Sequence, residues 1–269
     1  MICVSHLTAL DAEPEIFLTA AAEAGFEGAG LRLLPPRHAP RQYPLAVNPP
    51  RCRTLRRLAD DLGVRVFEAE SFAMEADSNV DDFMIGLEAG AVLGASVLVS
   101  GGVDPDESRL VDNYARLAEA AEGFGIKVAL EFMPSRPFSS LQDGIRVLDR
   151  VNHRNAGLLI DVLHLFRSGG SVADVARLSP EQIAYVHLSD APAAHPGTEG
   201  LTPESRAGRL YPGEGDLPLE DLFSVLPAGI AVSLEAPHRD QQDLPPEERV
   251  RRAGAQTLAF MTRIRRAAA

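Results

Sequence analysis

Apolar residues along the chain gather into eight short runs of strand length, separated by segments in which apolar positions recur every three or four residues. The runs are ICVSHLT (2–8), GAGLRLL (28–34), VRVFEAE (64–70), SVLVSGG (96–102), KVALEFM (127–133), GLLIDV (157–162), AYVHLSD (184–190) and AVSLEA (231–236). Between them, EIFLTAAAEAG, CRTLRRLADDLG, VDDFMIGLEAGAVLG, VDNYARLAEAAEGFG and LQDGIRVLDRV carry helical spacing, and several end in a glycine suited to a helix C-cap. Near-continuous apolar strands alternating with amphipathic helices imply a parallel sheet covered on both faces. Eight such units are what closes a (β/α)8 TIM barrel. The length of 269 residues agrees, being close to the ~250 at which such barrels close. The chain therefore reads as one domain, 1–269.

Two connections are longer than a plain unit needs: residues 35–50 after the second strand and 191–216 after the seventh. Both leave strand C-termini, where barrel active sites form, and read as functional lids or disordered excursions. Residues 247–268 read as the closing helix, with arginines suited to its last turn.

The polar residues at the strand C-termini are the informative ones. The fifth strand ends in Glu131 (ALEFMP), the sixth in Asp161 (GLLIDV), the seventh carries His187 (VHLSD) and the eighth Glu235 (SLEAP). Taken singly, each has an ordinary explanation: a rim carboxylate caps a helix or pairs with arginine, and a strand histidine is a satisfied core residue. Taken together, they sit on successive strands only ~4.8 Å apart and must converge. Three carboxylates so crowded repel strongly and shift one another's pKa unless a cation neutralises them. One divalent metal ion held by Glu131, Asp161, His187 and Glu235 is the expectation. Three oxygens and one imidazole suit Mn2+ or Mg2+, with Co2+ or Zn2+ as alternatives.

Around this constellation, His164 lies three residues past Asp161 and would point into the pocket mouth as a donor to substrate, or else serve as a cap. Arg209 precedes YPGEGD and would hold a hydroxyl, carboxylate or phosphate, with Arg206 competing for that role. The GEG triplet has backbone freedom but is a weak phosphate signal. In the first half of the chain His6 ends the first strand, Arg32 sits in the second, and Glu68 and Glu70 lie at the end of the third; barrel ion pairing explains them as well as pocket lining does, and Glu70 and His6 rank highest as substrate contacts because they sit nearest the rim.

LEFMP, IDVLH, VHLSD, YPGEGDLPL and SLEAP resemble the strand ends of the xylose-isomerase-like sugar isomerase and epimerase superfamily. The resemblance runs from about the fourth strand to the C-terminus. It implies one divalent metal on Glu131, Asp161, His187 and Glu235, substrate contacts from His164 and an arginine before the GEG turn, and Glu131 and Glu235 as acid and base. Proton transfer through a metal-stabilised enediolate of a small sugar or polyhydroxy carbonyl compound is the implied isomerase or epimerase reaction. With a β-hydroxyl leaving group the same site would dehydrate a keto-cyclitol or a dehydroshikimate-like keto acid. A non-catalytic sugar-binding barrel is the reading outside enzymology. The chain differs from ketose 3-epimerases in interposing AHPGTEGLTPESR before the arginine that follows the strand-seven histidine.

Composition narrows the partners. A formal net charge of -12 and no basic stripe interleaved with aromatics argue against nucleic acid. No apolar run approaches the ~20 residues of a membrane span, and MICVSHLTALDAEPE lacks a signal peptide's basic flank, so a cytoplasmic protein is expected. Cys3 and Cys52 then stay reduced. The resemblance also allows a homo-oligomer.

Overall fold

The computed structural model describes residues 1–34 and 45–267. All eight apolar runs become strands: β1 (Ile2–Val4), β2 (Gly28–Arg32), β3 (Arg65–Glu70), β4 (Val97–Gly101), β5 (Lys127–Glu131), β6 (Ala156–Asp161), β7 (Ile183–Leu188) and β8 (Val232–Leu234). They pair in parallel in sequence order, and β8 returns to β1 through Ile2↔Val232, Cys3↔Ser233 and Val4↔Leu234, closing the barrel. The helices are α1 (Pro14–Glu23), α2 (Pro49–Leu62), α3 (Met84–Leu93), α4 (Glu107–Glu122), α5 (Leu141–Val151), α6 (Val162–Arg167), α7 (Val172–Val175), α8 (Leu201–Ala207), α9 (Leu219–Val225) and α10 (Pro246–Ala267). The protein is a single (β/α)8 TIM barrel. Among the described residues no helix is long and apolar enough to cross a membrane.

Outward-facing strand residues and the apolar stripes of the helices form one continuous core, to which Phe17, Leu31, Leu55, Leu117, Leu158 and Leu234 belong. The inside of the barrel has a separate floor of Cys3, Phe67, Val97, Val99, Ala129, Leu159 and Tyr185. Strict alternation would turn the residue after Phe67 outward. The β2–β3 register slips between Ala29/Gly30, so that Ala29 faces Val66 but Gly30 faces Glu68. One extra residue in β3 thereby lets Phe67 fill the floor while Glu68 also faces inward. A second slip, Leu158↔Ile183 followed by Leu159↔Tyr185, aligns β7 so that Tyr185 and His187 both point into the barrel.

The structure departs from the expected element bounds at functional places. The first strand stops at Val4, and His6–Ala9 is a 3-10 turn, so His6 sits above the strand rather than in it. β8 stops at Leu234, leaving Glu235 just beyond. α6 starts directly after β6 with Asp161 as its N-cap, a helix that apolar periodicity alone did not separate from the strand. The long connection after β7 contains α8, and Asp190 pairs with Leu210 across it by two backbone hydrogen bonds of 2.9 Å. In the other long connection, residues 35–44 lie outside the described residues, and Leu45–Val47 form a 3-10 turn before α2.

Candidate active site

The four strand-end residues converge. One ligand atom from each of Glu131, Asp161, His187 and Glu235 can be chosen so that all four lie within 4.8 Å of one another. Parallel pairing produces this directly: Asp161 stands opposite His187 in the β6–β7 register, and β5 and β8 flank them with Glu131 and Glu235.

Asp161 reconciles the two readings open to it. Its Oδ1 accepts the backbone N–H of His164 at 3.0 Å, capping α6, while its Oδ2 faces the cluster. His187 is held from behind: Glu68 Oε2 lies 2.8 Å from its Nε2 and also accepts the Tyr185 hydroxyl at 2.6 Å, and Ser233 Oγ donates to Glu68 Oε1. With Nε2 turned to Glu68, Nδ1 is the nitrogen that could offer a lone pair to a cation in place of a proton. Among the described residues Nδ1 is buried with no hydrogen-bond partner, although Glu235 Oε2 is 3.4 Å away, Asp161 Oδ2 3.9 Å and Glu131 Oε1 4.0 Å. A partnerless ring nitrogen ringed by carboxylates is a donor set that fits a divalent cation.

The electrostatics carry the same stress. Burial and the neighbouring Glu235 push the Glu131 carboxyl up to about 8. Burial also penalises ionised Asp161, but Arg209 and His164 outweigh it and hold the carboxyl below its usual range. For Glu235 burial is outweighed by His187 and Arg209, and the carboxyl is well below its usual range. Burial alone would lower the His187 pKa, yet Glu235 and Glu68 raise it far above that of a free imidazole.

Arg209 is wholly buried in this cluster. Its Nη1 donates to Asp161 Oδ2 at 2.8 Å, its Nη2 lies 2.9 Å from Glu235 Oε2, and its Nε donates to the Ser205 carbonyl of α8 at 3.0 Å. Three cluster carboxylates against one guanidinium leave two formal negative charges, the complement of a divalent cation. The connection after β7 is built to present this arginine. Asp190 accepts backbone N–H groups from Ala191 (2.8 Å), Gly213 (2.9 Å), Gly215 (3.0 Å) and Leu217 (3.1 Å), so the GEG turn is a nest for an internal carboxylate rather than for phosphate. A Cβ on Gly215 would fall 2.4 Å from the Ala191 carbonyl, so only glycine fits this turn. Arg167 and Glu204 then clamp α8 onto α6 through two hydrogen bonds of 2.7 Å.

A family model described as the xylose isomerase-like TIM barrel matches residues 18–260. The chain belongs to this family. Among curated members, an inosose isomerase of Halalkalibacterium halodurans is 27% identical over 158 residues, 57% of this chain and 54% of the relative. A 3-dehydroshikimate dehydratase of Pseudomonas aeruginosa is 26% identical over 181 residues, 62% of this chain and 28% of the relative. The chain thus spans about half the length of the first of these and less of the second. A crystal structure described as the IolI protein with a binding zinc atom superposes with a TM-score of 0.84 at 18% identity, covering 98% of both chains. That of D-psicose 3-epimerase with D-tagatose from Clostridium cellulolyticum H10 gives 0.74 at 14% identity, covering 98% of both. At these identities the superpositions speak for the fold.

The remaining residues expected at the site fall in different places. His164 faces the cluster from α6, with Nε2 3.9 Å from Asp161 Oδ2 and 4.0 Å from Glu131 Oε1, and burial keeps its pKa below the usual imidazole value. Arg206 is exposed on α8, outside the cluster, so of the two arginines Arg209 is the one at the centre. Glu70 lies at the inner rim of β3. His6 is fully buried: its Nδ1 accepts the Arg32 N–H at 3.3 Å, its Nε2 lies 3.1 Å from the Ala12 carbonyl, and its ring packs on Phe17 at 4.7 Å. What His6 offers the pocket is its backbone N–H, bound to Glu70 Oε1 at 2.8 Å. Sequence reasoning passed over Tyr185, Ser5 and Asp190. Tyr185 had one usable signal, its place two residues before His187 on the same strand face.

Proposed function

We propose that the protein is a divalent-cation-dependent isomerase or epimerase of a small polyhydroxy carbonyl compound, with Glu131, Asp161, His187 and Glu235 holding the ion. The buried, partnerless His187 Nδ1 among three carboxylates is the observation that carries this reading. Oxygen-rich donors favour Mn2+ or Mg2+ over Zn2+ or Co2+. When bound, the ion supplies Lewis-acid polarisation of a carbonyl and its neighbouring hydroxyl, which acidifies the C–H between them.

The protein's own groups supply the rest. Glu131 and Glu235 enter from strand ends three apart in the ring and would face opposite sides of a planar intermediate, one taking the proton and the other returning it. Their surroundings differ. Glu235 accepts the Ser5 hydroxyl at 3.0 Å and pairs with Arg209, whereas no hydrogen bond reaches Glu131 among the described residues. Glu131 is the less restrained group, suited to carrying a proton to and from carbon. His164, with Arg209 anchoring Asp161 and Glu235, orients substrate oxygens at the mouth. Loss of a β-hydroxyl after the same proton abstraction gives the dehydratase reading, favoured by the likeness to 3-dehydroshikimate dehydratase.

Elemental analysis of the purified protein should find about one equivalent of divalent metal, and chelation should lower the melting temperature, since an ion bound only by the native state stabilises it. Holoenzyme incubated in deuterium oxide with an inosose, hydroxypyruvate or 3-dehydroshikimate should label the carbon beside the carbonyl of its substrate. An unsaturated product identifies the dehydratase. Metal-free protein of unchanged stability under chelation, or binding without exchange or turnover, refutes the proposal.

A further inference from the structure

The β2–β3 side of the mouth carries two polar groups that the metal centre does not use. Arg32 ends β2 and Glu70 ends β3, in direct register. Both face inward: a Cβ on Gly30, two residues before Arg32 on the same strand face, would come 2.2 Å from Glu70 Oε1 and 2.8 Å from Glu68 Cγ. Glycine at this position is what makes room for the Glu70 carboxylate.

Glu70 is held on one side only. Its Oε1 accepts the His6 N–H at 2.8 Å, and the residue after it, Ser71, takes a φ of 80°, a left-handed backbone that a side chain adopts at a cost and that concentrates at functional positions. Its Oε2 accepts no hydrogen bond among the described residues. Facing it at 4.0 Å is Arg32 Nε, buried and, among the described residues, without a hydrogen-bond partner. That separation is too long for a direct hydrogen bond, but one oxygen seated between the two, at an ordinary hydrogen-bond distance from each, would satisfy both. The oxygen must accept from Nε–H and donate to Oε2. A hydroxyl does both. A carboxylate or phosphate would meet Arg32 but set like charge against Glu70, with Glu68 behind it.

We propose that Arg32 and Glu70 form a hydroxyl-binding subsite, across the ring from Glu131, Asp161, His187 and Glu235, that selects neutral polyhydroxy ketones over keto acids. This rests on the reading of the barrel mouth as a substrate pocket and names the class of substrate it takes.

Calorimetric titration of the cation-loaded protein at about pH 8.5, where the Glu70 carboxyl, pushed up to about 7 by burial, is ionised, with myo-inositol and with quinate, a cyclic polyol that adds a carboxylate, tests the subsite without turnover. The wild type should bind myo-inositol at least about tenfold more tightly than quinate, the scale of one hydrogen bond kept against one charge repelled. Glu70→Gln should weaken myo-inositol and strengthen quinate, while Arg32→Gln weakens myo-inositol about tenfold. Opposite movement of two ligands in Glu70→Gln cannot come from partial unfolding, which weakens both. No binding of myo-inositol, tighter binding of quinate, or variants that bind both ligands as the wild type does overturns the subsite. A protein that binds no cation yet keeps the Glu70-dependent preference would sink the metal chemistry and leave the subsite standing.

Discussion

The β5–β8 half of the rim and the β1–β4 half are built from the same parallel strands, yet they use side chains differently. On β5–β8 each strand delivers one carboxylate or imidazole within one residue of its end, and all four reach a common centre. On β1–β4 the inward groups are heterogeneous: a backbone N–H and a hydroxyl after β1, glycine and arginine on β2, two glutamates on β3, and Gly101 on β4. The β5–β8 half concentrates negative charge, as the proposed ion requires. The β1–β4 half spaces donors and acceptors so that Arg32 Nε and Glu70 Oε2 remain unsatisfied among the described residues, which suits recognition of a polar molecule. Glu68 belongs to both, standing on β3 but serving His187 of β7.

The largest expected effect tests whether the halves do different work. Glu235→Gln removes the charge of a proposed ligand and the proposed proton carrier together, and turnover should fall by roughly a thousandfold, as for loss of an acid–base group, with the barrel still folded. Glu70→Gln should act mainly on KM and leave kcat within about tenfold, since hydroxyl binding is made alike in ground and transition states. Steady-state kinetics of the two variants decide it. Equal losses in kcat would merge the halves into one catalytic unit.

A smaller effect is expected where the halves meet. Glu68→Gln keeps an acceptor for the His187 ring but removes the charge that fixes its tautomer, so metal affinity should fall about ten- to a hundredfold, the usual cost of losing an outer partner of a ligating histidine. Competition titration against a chelator measures this. An unchanged affinity would make Glu68 a barrel-floor residue and restore a clean division of the rim.

The same comparison explains what could be read in advance. Eight apolar runs and a carboxylate or imidazole at four successive strand ends are regularities of period and position, and they foretold both the barrel and the convergence of Glu131, Asp161, His187 and Glu235. The first-half rim breaks those regularities. The extra residue in β3 turns Glu68 inward against strict alternation, and a bulge leaves no mark in the hydrophobic pattern. In the apolar pattern the first strand runs past Val4, which makes His6 a pocket imidazole, but β1 ends at Val4. In the fold its ring closes β1 onto β2, and its contribution to the pocket is an N–H that every residue except proline possesses. Arg206 and Arg209 were inseparable by composition, and only the Asp190 nest and α8 between them bring Arg209 inside.

A further expected effect falls on stability rather than on turnover or metal affinity, a pH dependence carried by Glu70. Burial first, then the Glu68 charge below it and Glu235 beyond β1, push its carboxyl up to about 7, against the opposing pull of Arg32 and the His6 N–H. The unfolded chain releases this proton near pH 4.5, the folded protein near 7. Between those values the native state binds more protons than the unfolded one, so the stability linked to Glu70 is complete below about 4.5 and lost as pH rises through about 7. Glu70→Gln cannot titrate. Its melting temperature should therefore gain on that of the wild type as pH is raised across this window, with the cation present in both so that titrations of the shared ligands cancel. Parallel curves would mean that Glu70 is ionised throughout. The hydroxyl subsite would then carry its charge across the whole window, and its preference for a neutral polyol over a carboxylate would not change with pH between about 4.5 and 7.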